Sequence, residues 1–196
     1  MRFIGRIIGA GGTPIESVHE SKTARFAGSF TGNVNDTWIW ELGAQFSEND
    51  FSVAVPDVLV DRFNLAIRGL GGAGCNPATG TAGVGGCAYF NPFGSALTGT
   101  GTPNGQAMFD YLLGFERFDA HSQLTSVEGF TSRELGNLGG GRAGIAVGAQ
   151  YRREALSYDY DENANRDNFL FLTGNPDFSN GRNVSAAFVE IGRAHV

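Results

Sequence analysis

The stretch Asp36–Ser47, DTWIWELGAQFS, alternates with a period of two. Trp38, Trp40, Leu42, Ala44 and Phe46 fall on one side, and Ile39, Glu41, Gly43, Gln45 and Ser47 on the other. A β-strand sends successive side chains to opposite faces, so this segment reads as a strand with one apolar and one mostly polar face. Its aromatic residues lie toward the ends, Trp38 and Trp40 at one and Phe46 at the other. That distribution is expected of a strand that crosses a bilayer between two aromatic girdles.

The same pattern extends outward from this strand. Ala24, Phe26, Gly28 and Phe30 oppose Arg25, Ala27, Ser29 and Thr31, and the intervening Gly32–Asp36, GNVND, has turn composition. The pair therefore reads as a hairpin. A second hairpin is predicted from Ser122–Leu135, the turn Gly136–Gly141, and Arg142–Glu154. In its second strand Ala143, Ile145, Val147, Ala149 and Tyr151 share a face opposite Arg142, Gly144, Ala146, Gly148, Gln150 and Arg152. Arg2–Ile8 and Asn183–Ile191 read as further strands.

Connection lengths carry as much information as the strands. Gly32–Asp36 and Gly136–Gly141 are short, Gly9–Lys22 is medium, and residues 48–120 and 159–182 are long. Outer-membrane barrels alternate tight periplasmic turns with large extracellular loops in this way. Inside the longest excursion, Val58, Leu59, Phe63, Ala66, Ile67 and Leu70 have helical spacing, and Gly71 and Gly72 follow. That predicts a short helix with a glycine stop. A further helical turn is predicted over Ala107–Leu113.

Composition supports the same class. Charged residues are 17% of the chain, below the roughly 25% of soluble domains; glycine accounts for 30 of 196 residues, phenylalanine for 16, and Lys22 is the only lysine. The net charge of −6 and scattered basic residues argue against nucleic acid as a partner. No apolar run is long enough for a transmembrane helix, but barrel strands are short and alternating. Met1–Ile4 leads straight into a strand-like segment without the apolar core or cleavage site of a signal peptide, so an exported protein would begin upstream. Cys75 and Cys87, close together in one glycine-rich stretch, read as a disulfide and an oxidising compartment.

Several motifs invite stronger readings. Gly69–Gly74, GLGGAG, matches the dinucleotide fingerprint in letters, but a helix-like segment precedes it where the fingerprint needs a strand. Ile7–Pro14, IIGAGGTP, has no helix pattern after it. Asp159, Asp161 and Asn163 place oxygen ligands at alternate positions, a weak calcium candidate. Ala164 and Leu170 stand where a calcium-binding EF-hand needs Gly and Glu, so a solvated acidic loop is the simpler reading. His19, His121 and His195 lack metal-ligand spacing, and neither they nor Glu154 with Asp159 make a catalytic arrangement. No catalytic residue, metal site or cofactor is predicted. Phe90, Phe93, Phe109, Tyr111 and Phe115 are candidates for an aromatic ligand-contact surface, against the plainer alternative that they pack the long loop on itself. Arg142, Gln150 and Arg152 should face a barrel lumen and pair with acidic groups there, because an isolated buried charge is costly.

Three stretches in order resemble TonB-dependent outer-membrane receptors: Tyr89–Gly94, YFNPFG, after the cysteine-bearing glycine-rich segment; Gly144–Glu154, GIAVGAQYRRE; and Phe171–Ile191, FLTGNPDFSNGRNVSAAFVEI. The resemblance is best from Gly71 to Ile191. It implies part of a plugged barrel of about twenty-two strands, ligand capture by extracellular loops, and uptake of a siderophore, cobalamin or oligosaccharide driven by the TonB complex. The plug, the TonB box and the C-terminal strands of the family have no counterpart here. Ile191–Val196, IGRAHV, resembles a translated sequencing adapter.

The expectation is thus an all-β chain: a partial transmembrane antiparallel β-barrel, forming an open curved sheet of about six strands with two unpaired edges and long loops that contain a short helix. Residues 1–191 would form the partial barrel and 192–196 a non-native tail. Its partners would be outer-membrane lipid, a small-molecule ligand and, through the absent N-terminal part, the TonB complex; it would reside in the bacterial outer membrane and have no enzymatic activity. The alternatives are another outer-membrane channel and a secreted soluble β binding module.

Overall fold

The computed structural model describes residues 15–94, 101–137 and 141–193. Five strands, β1 (Val18–Val34), β2 (Trp38–Val58), β3 (Leu113–Asn137), β4 (Arg142–Tyr160) and β5 (Phe178–Arg193), form one open, curved antiparallel sheet in the order β1-β2-β3-β4-β5. The chain is all-β, as its alternation predicts. Among the described residues β1 and β5 have a neighbour on one side only. The predicted strand Arg2–Ile8 lies outside the described residues.

Both hairpins form, with shifted boundaries. The first turn is the single 3-10 turn Asn35–Thr37, where Asn35 takes φ 57°, a left-handed conformation that asparagine tolerates better than most residues. Gly32, predicted in the turn, belongs to β1 instead. The predicted excursion over residues 48–120 shrinks to 59–112, because β2 runs on to Val58 and β3 begins at Leu113. Glu48-Asn49-Asp50 has turn composition but stays extended. Cross-strand bonds satisfy it: Asn49 Nδ2 donates to Ser21 Oγ at 2.8 Å and Thr23 Oγ1 at 2.6 Å, and Asp50 Oδ1 lies 2.7 Å from His121 Nδ1. The second long connection likewise contracts to 161–177. Past the predicted Ile191 end, β5 continues with Gly192 opposite Gly144 and Arg193 opposite Ala143, so the sheet runs on into the segment read as a tail; residues 194–196 and His195 lie outside the described residues.

The described residues divide into two compact units. The loop unit comprises residues 52–119 and 159–177 with the chain before 21; the strand unit comprises 21–51, 120–158 and 178 onward.

The loop unit has its own core. Val58 and Leu112 are fully buried, packed with Ala66, Phe90 and Met108, and flanked by Phe63, Phe109, Tyr111 and Leu170. Burying an aliphatic side chain of this size stabilises by about 1.5–3 kcal/mol. A smaller cluster joins Leu59, Ala164 and Phe169. Asp57, itself buried, accepts from the backbone N–H of Val58 at 2.6 Å, Phe171 at 2.9 Å and Leu172 at 2.8 Å, tying the end of β2 to the second long connection. The helix α1 spans Val60–Ala66, shorter than its apolar spacing suggests. Gly69, at φ 81°, takes the left-handed position after it, ahead of the predicted Gly71–Gly72 stop, and Leu70 N–H returns to Leu65 O at 2.9 Å. Ile67, predicted inward, is exposed as a result. The second predicted helical turn is α2, Gln106–Leu112.

Candidate functional site

In the strand unit, cross-strand contacts establish which residues share a face. On β1 and β2, Arg25 donates to Gln45 Oε1 at 3.0 Å. Between β2 and β3, a Cβ on Gly43 would meet Glu128 Cγ at 3.4 Å. Between β3 and β4, Gln150 Nε2 donates to Glu128 Oε2 at 3.0 Å and Arg142 Nη1 reaches Glu134 Oε1 at 3.4 Å. Between β4 and β5, Glu154 stands opposite Arg182 and bonds to it, while Arg152 Nε lies 3.0 Å from Glu154 Oε1. That Arg152 nitrogen is buried and is not aligned for a hydrogen bond with the carboxylate. All these residues share one face, and polar pairs on it join β1 to β2, β3 to β4 and β4 to β5. The face hollows into a cavity of about 520 Å³, lined by Asn49, Glu154 and Arg182 and also by Leu124, Leu156 and Phe178. It is not purely polar: Phe188 and Phe130 close over Gly148, where a Cβ would meet their atoms at 2.4 Å and 2.8 Å.

The other face is apolar and uncovered. Ile145 stands opposite Ile191, Val147 opposite Val189, and Ala149 opposite Ala187. Trp40 lies across Gly32, whose Cβ would meet the indole at 2.7 Å, and Leu42 lies against Gly129. Phe26 is 70% exposed, Phe30 75%, Val189 68% and Ile191 75%. Among the described residues, the charged ones on this face stand only at its margins. Lys22, Asp50 with His121, and Arg153 mark one end. At the turn end Arg133 lies over the Trp38 ring, 5.7 Å from its centroid. Between these margins β2 presents Trp38 to Phe46, a span of roughly 27 Å at about 3.4 Å per residue.

Arg142, Gln150 and Arg152 are thus brought onto one face with Glu134, Glu128 and Glu154. Sequence reading did not single out Asn49, Glu128 or Arg182; carrying the period-two count along β3 and β5 would have placed Glu128 and Arg182 there.

The five aromatic candidates separate. Phe90 is buried in the loop core, and Phe109 and Tyr111 pack against that core. Arg62 sits over the Tyr111 ring, 5.6 Å from its centroid. Burial raises the Tyr111 hydroxyl pKa above its ordinary value, and Arg62 opposes the shift. Phe93 is exposed. Phe109 and Phe115 line a small groove of about 290 Å³ with Glu16 and Asp110. As a single aromatic surface the set does not assemble.

Cys75 and Cys87 form the disulfide, with their Cα atoms 4.5 Å apart. Of the calcium candidates, Asp161 caps the short helix α3 (Glu162–Asn165), accepting from Asn163 N–H at 2.8 Å, and also accepts from Arg117 N–H at 2.6 Å. Asp159 is exposed on β4. No group of three metal-ligating side chains occurs among the described residues. Nearby, Glu116 is buried. Burial pushes its carboxyl above the usual range, and the charges of Asp161 and Asp57 push the same way against a hydrogen bond with Asn175. Among the described residues no helix is long and apolar enough to cross a membrane.

The chain matches no protein-family model, no curated protein and no solved structure.

Proposed function

We propose that this chain is a section of the wall of a bacterial outer-membrane β-barrel, belonging to a TonB-dependent receptor that captures a scarce ligand through its long loops. The observation that carries the barrel reading is the contrast between the two faces of the strand unit. Leu42, Val147, Val189 and Ile191 point outward from one face, while Arg25, Glu128, Gln150, Glu154 and Arg182 link across the other. Water does not stabilise a sheet arranged like that, because its large apolar side chains stay hydrated. Hydrocarbon does, with the polar pairs turned to a lumen.

Two further features support the reading. Tilted by about 40°, as barrel strands are, the apolar span of β2 would rise roughly 20 Å, most of the roughly 25 Å apolar band of outer-membrane barrels. Trp38 with Arg133 at one margin has the form of an interfacial anchor. The receptor assignment, with its plug and TonB partner, rests on the ordered resemblance of Tyr89–Gly94, Gly144–Glu154 and Phe171–Ile191.

The test is depth-dependent quenching. The chain is folded into vesicles whose lipid tails carry bromine, and tryptophan fluorescence is followed. Trp38 and Trp40, the only tryptophans, share the apolar face and should be strongly quenched. A soluble, monomeric chain whose tryptophans ignore brominated lipid would sink the proposal and favour a secreted binding module.

A further inference from the structure

From Gly69 to Phe109 the chain contains no Asp, Glu, Lys, Arg or His; Arg68 and Asp110 bound the stretch. So long a neutral segment in an aqueous loop restricts what it can recognise. Its described part is also tightly built. A Cβ on Gly86 would stand 2.3 Å from Gly74 O, and one on Gly80 would stand 2.6 Å from Cys87 Sγ. These glycines permit backbone-to-backbone and backbone-to-disulfide packing, so this described part is closely packed.

Just after Cys87 the chain divides its two aromatic residues. Phe90 enters the core, while Tyr89 turns outward and is 56% exposed. A Cβ on Gly69 would lie 2.4 Å from Tyr89 Cζ and 2.6 Å from both Cε atoms; one on Gly83 would lie 2.9 Å from Cε2. Gly69 and Gly83 adopt φ 81° and 72°, and Gly83 N–H donates to Gly69 O at 2.9 Å. The phenol ring therefore lies flat across two glycines, one face covered and the other turned to solvent.

We propose that Tyr89 is a stacking platform for a neutral saccharide, which names the ligand class of the receptor reading above and rests on it. An anionic chelate needs a cation opposite it, and from Gly69 to Phe109 the chain supplies none, while Arg68 just before it turns its Nε back to Asn64 O at 2.9 Å. A sugar ring carries no charge, and its C–H face bears the partial positive charge that suits the negative face of an aromatic ring. Because Tyr89 is held flat before the ligand arrives, little side-chain freedom is lost on binding.

The experiment uses the full chain folded in detergent micelles, titrated calorimetrically with maltoheptaose, cellohexaose and xylohexaose, and separately with ferric citrate and cyanocobalamin. At least one sugar should bind. Tyr89→Ala should weaken that binding at least tenfold, and Tyr89→Trp should retain it; absence of free thiols in each variant reports an intact Cys75–Cys87 loop. The inference is overturned if no sugar binds, if only ferric citrate or cyanocobalamin binds, or if Tyr89→Ala binds sugar as the parent does. Vesicle quenching of Trp38 and Trp40 reads the barrel proposal independently: quenching without Tyr89-dependent sugar binding removes the ligand class alone, and sugar binding without quenching leaves the site on a soluble module.

Discussion

Among the described residues the loop unit buries Val53, Val58, Leu59, Phe90, Met108, Leu112 and Phe169, whereas the strand unit buries nothing larger than Ala120, Ser126 and Ala143. The same chain thus handles its apolar residues in two ways. Around α1 and α2 they converge on one another, as in any water-soluble domain. Along the strands they diverge from the sheet, and only the smallest side chains are enclosed. Hydrophobicity alone does not separate the regions, since Phe26 and Ile191 are as apolar as Phe90 and Leu112. The period does. Helical spacing and loop closure gather side chains to a point, and a period of two spreads them over a surface. A surface of that kind needs a second layer or lipid, and the proposal above supplies lipid.

This contrast can be broken or sharpened at four sites. The largest effect is expected at Leu112, fully buried in the loop core: Leu112→Ala should cost about 2–5 kcal/mol in the loop unit. Hydrogen exchange at the amides of residues 58–67 would read it. Leu42→Ala, on the open face, should leave those amides unchanged. A similar cost at both positions would erase the distinction between the units.

Next comes Val147→Arg, expected to cost about 2–4 kcal/mol in a bilayer if the position lies near its midplane. Denaturant titration from vesicles would measure the loss. Ala146→Arg, on the polar face opposite Glu190, should be far milder. Equal penalties on the two faces would contradict a lipid-facing and a lumen-facing side.

Cys75→Ser with Cys87→Ser should destabilise the loop unit by about 3 kcal/mol, the loop-closure value for a ring of this size. Protease should then cut between residues 70 and 90, while the strand unit stays protected. Simultaneous cutting in both units would mean that they do not unfold separately.

The smallest effect belongs to Glu116. Its folded pKa lies above its unfolded one, so the folded form binds a proton more readily. That contribution is complete below the ordinary glutamate range and is lost as pH climbs through the raised value. Glu116→Gln should flatten this part of the pH profile of loop-unit stability. An unchanged slope would show that Glu116 does not contribute to it.

Much of the strand unit was legible because period-two alternation is local. Trp38–Ser47 announced a strand, and Ala143–Tyr151 announced which residues stand with Ile145. The ends of the strands were not legible. Glu48-Asn49-Asp50 has turn composition, and only the partners Ser21, Thr23 and His121, distant in sequence, keep it extended. In the loop unit the helix around Phe63 was visible, but its end was not. Gly69 rather than Gly71 takes the left-handed turn, beneath the Tyr89 ring. Spacing made Asp161 a weak calcium candidate, and could not show that three backbone N–H groups donate to its carboxylate.

By itself the sequence determined the strand pattern, the alternation of short and long connections, and the cysteine pair, since each depends on neighbours a few residues apart. Only the tertiary structure decided that Phe90 is enclosed while Tyr89 is presented, and that Glu128 meets Gln150 across a shared face. Those choices depend on which distant segments come into contact, and period and composition carry no record of that.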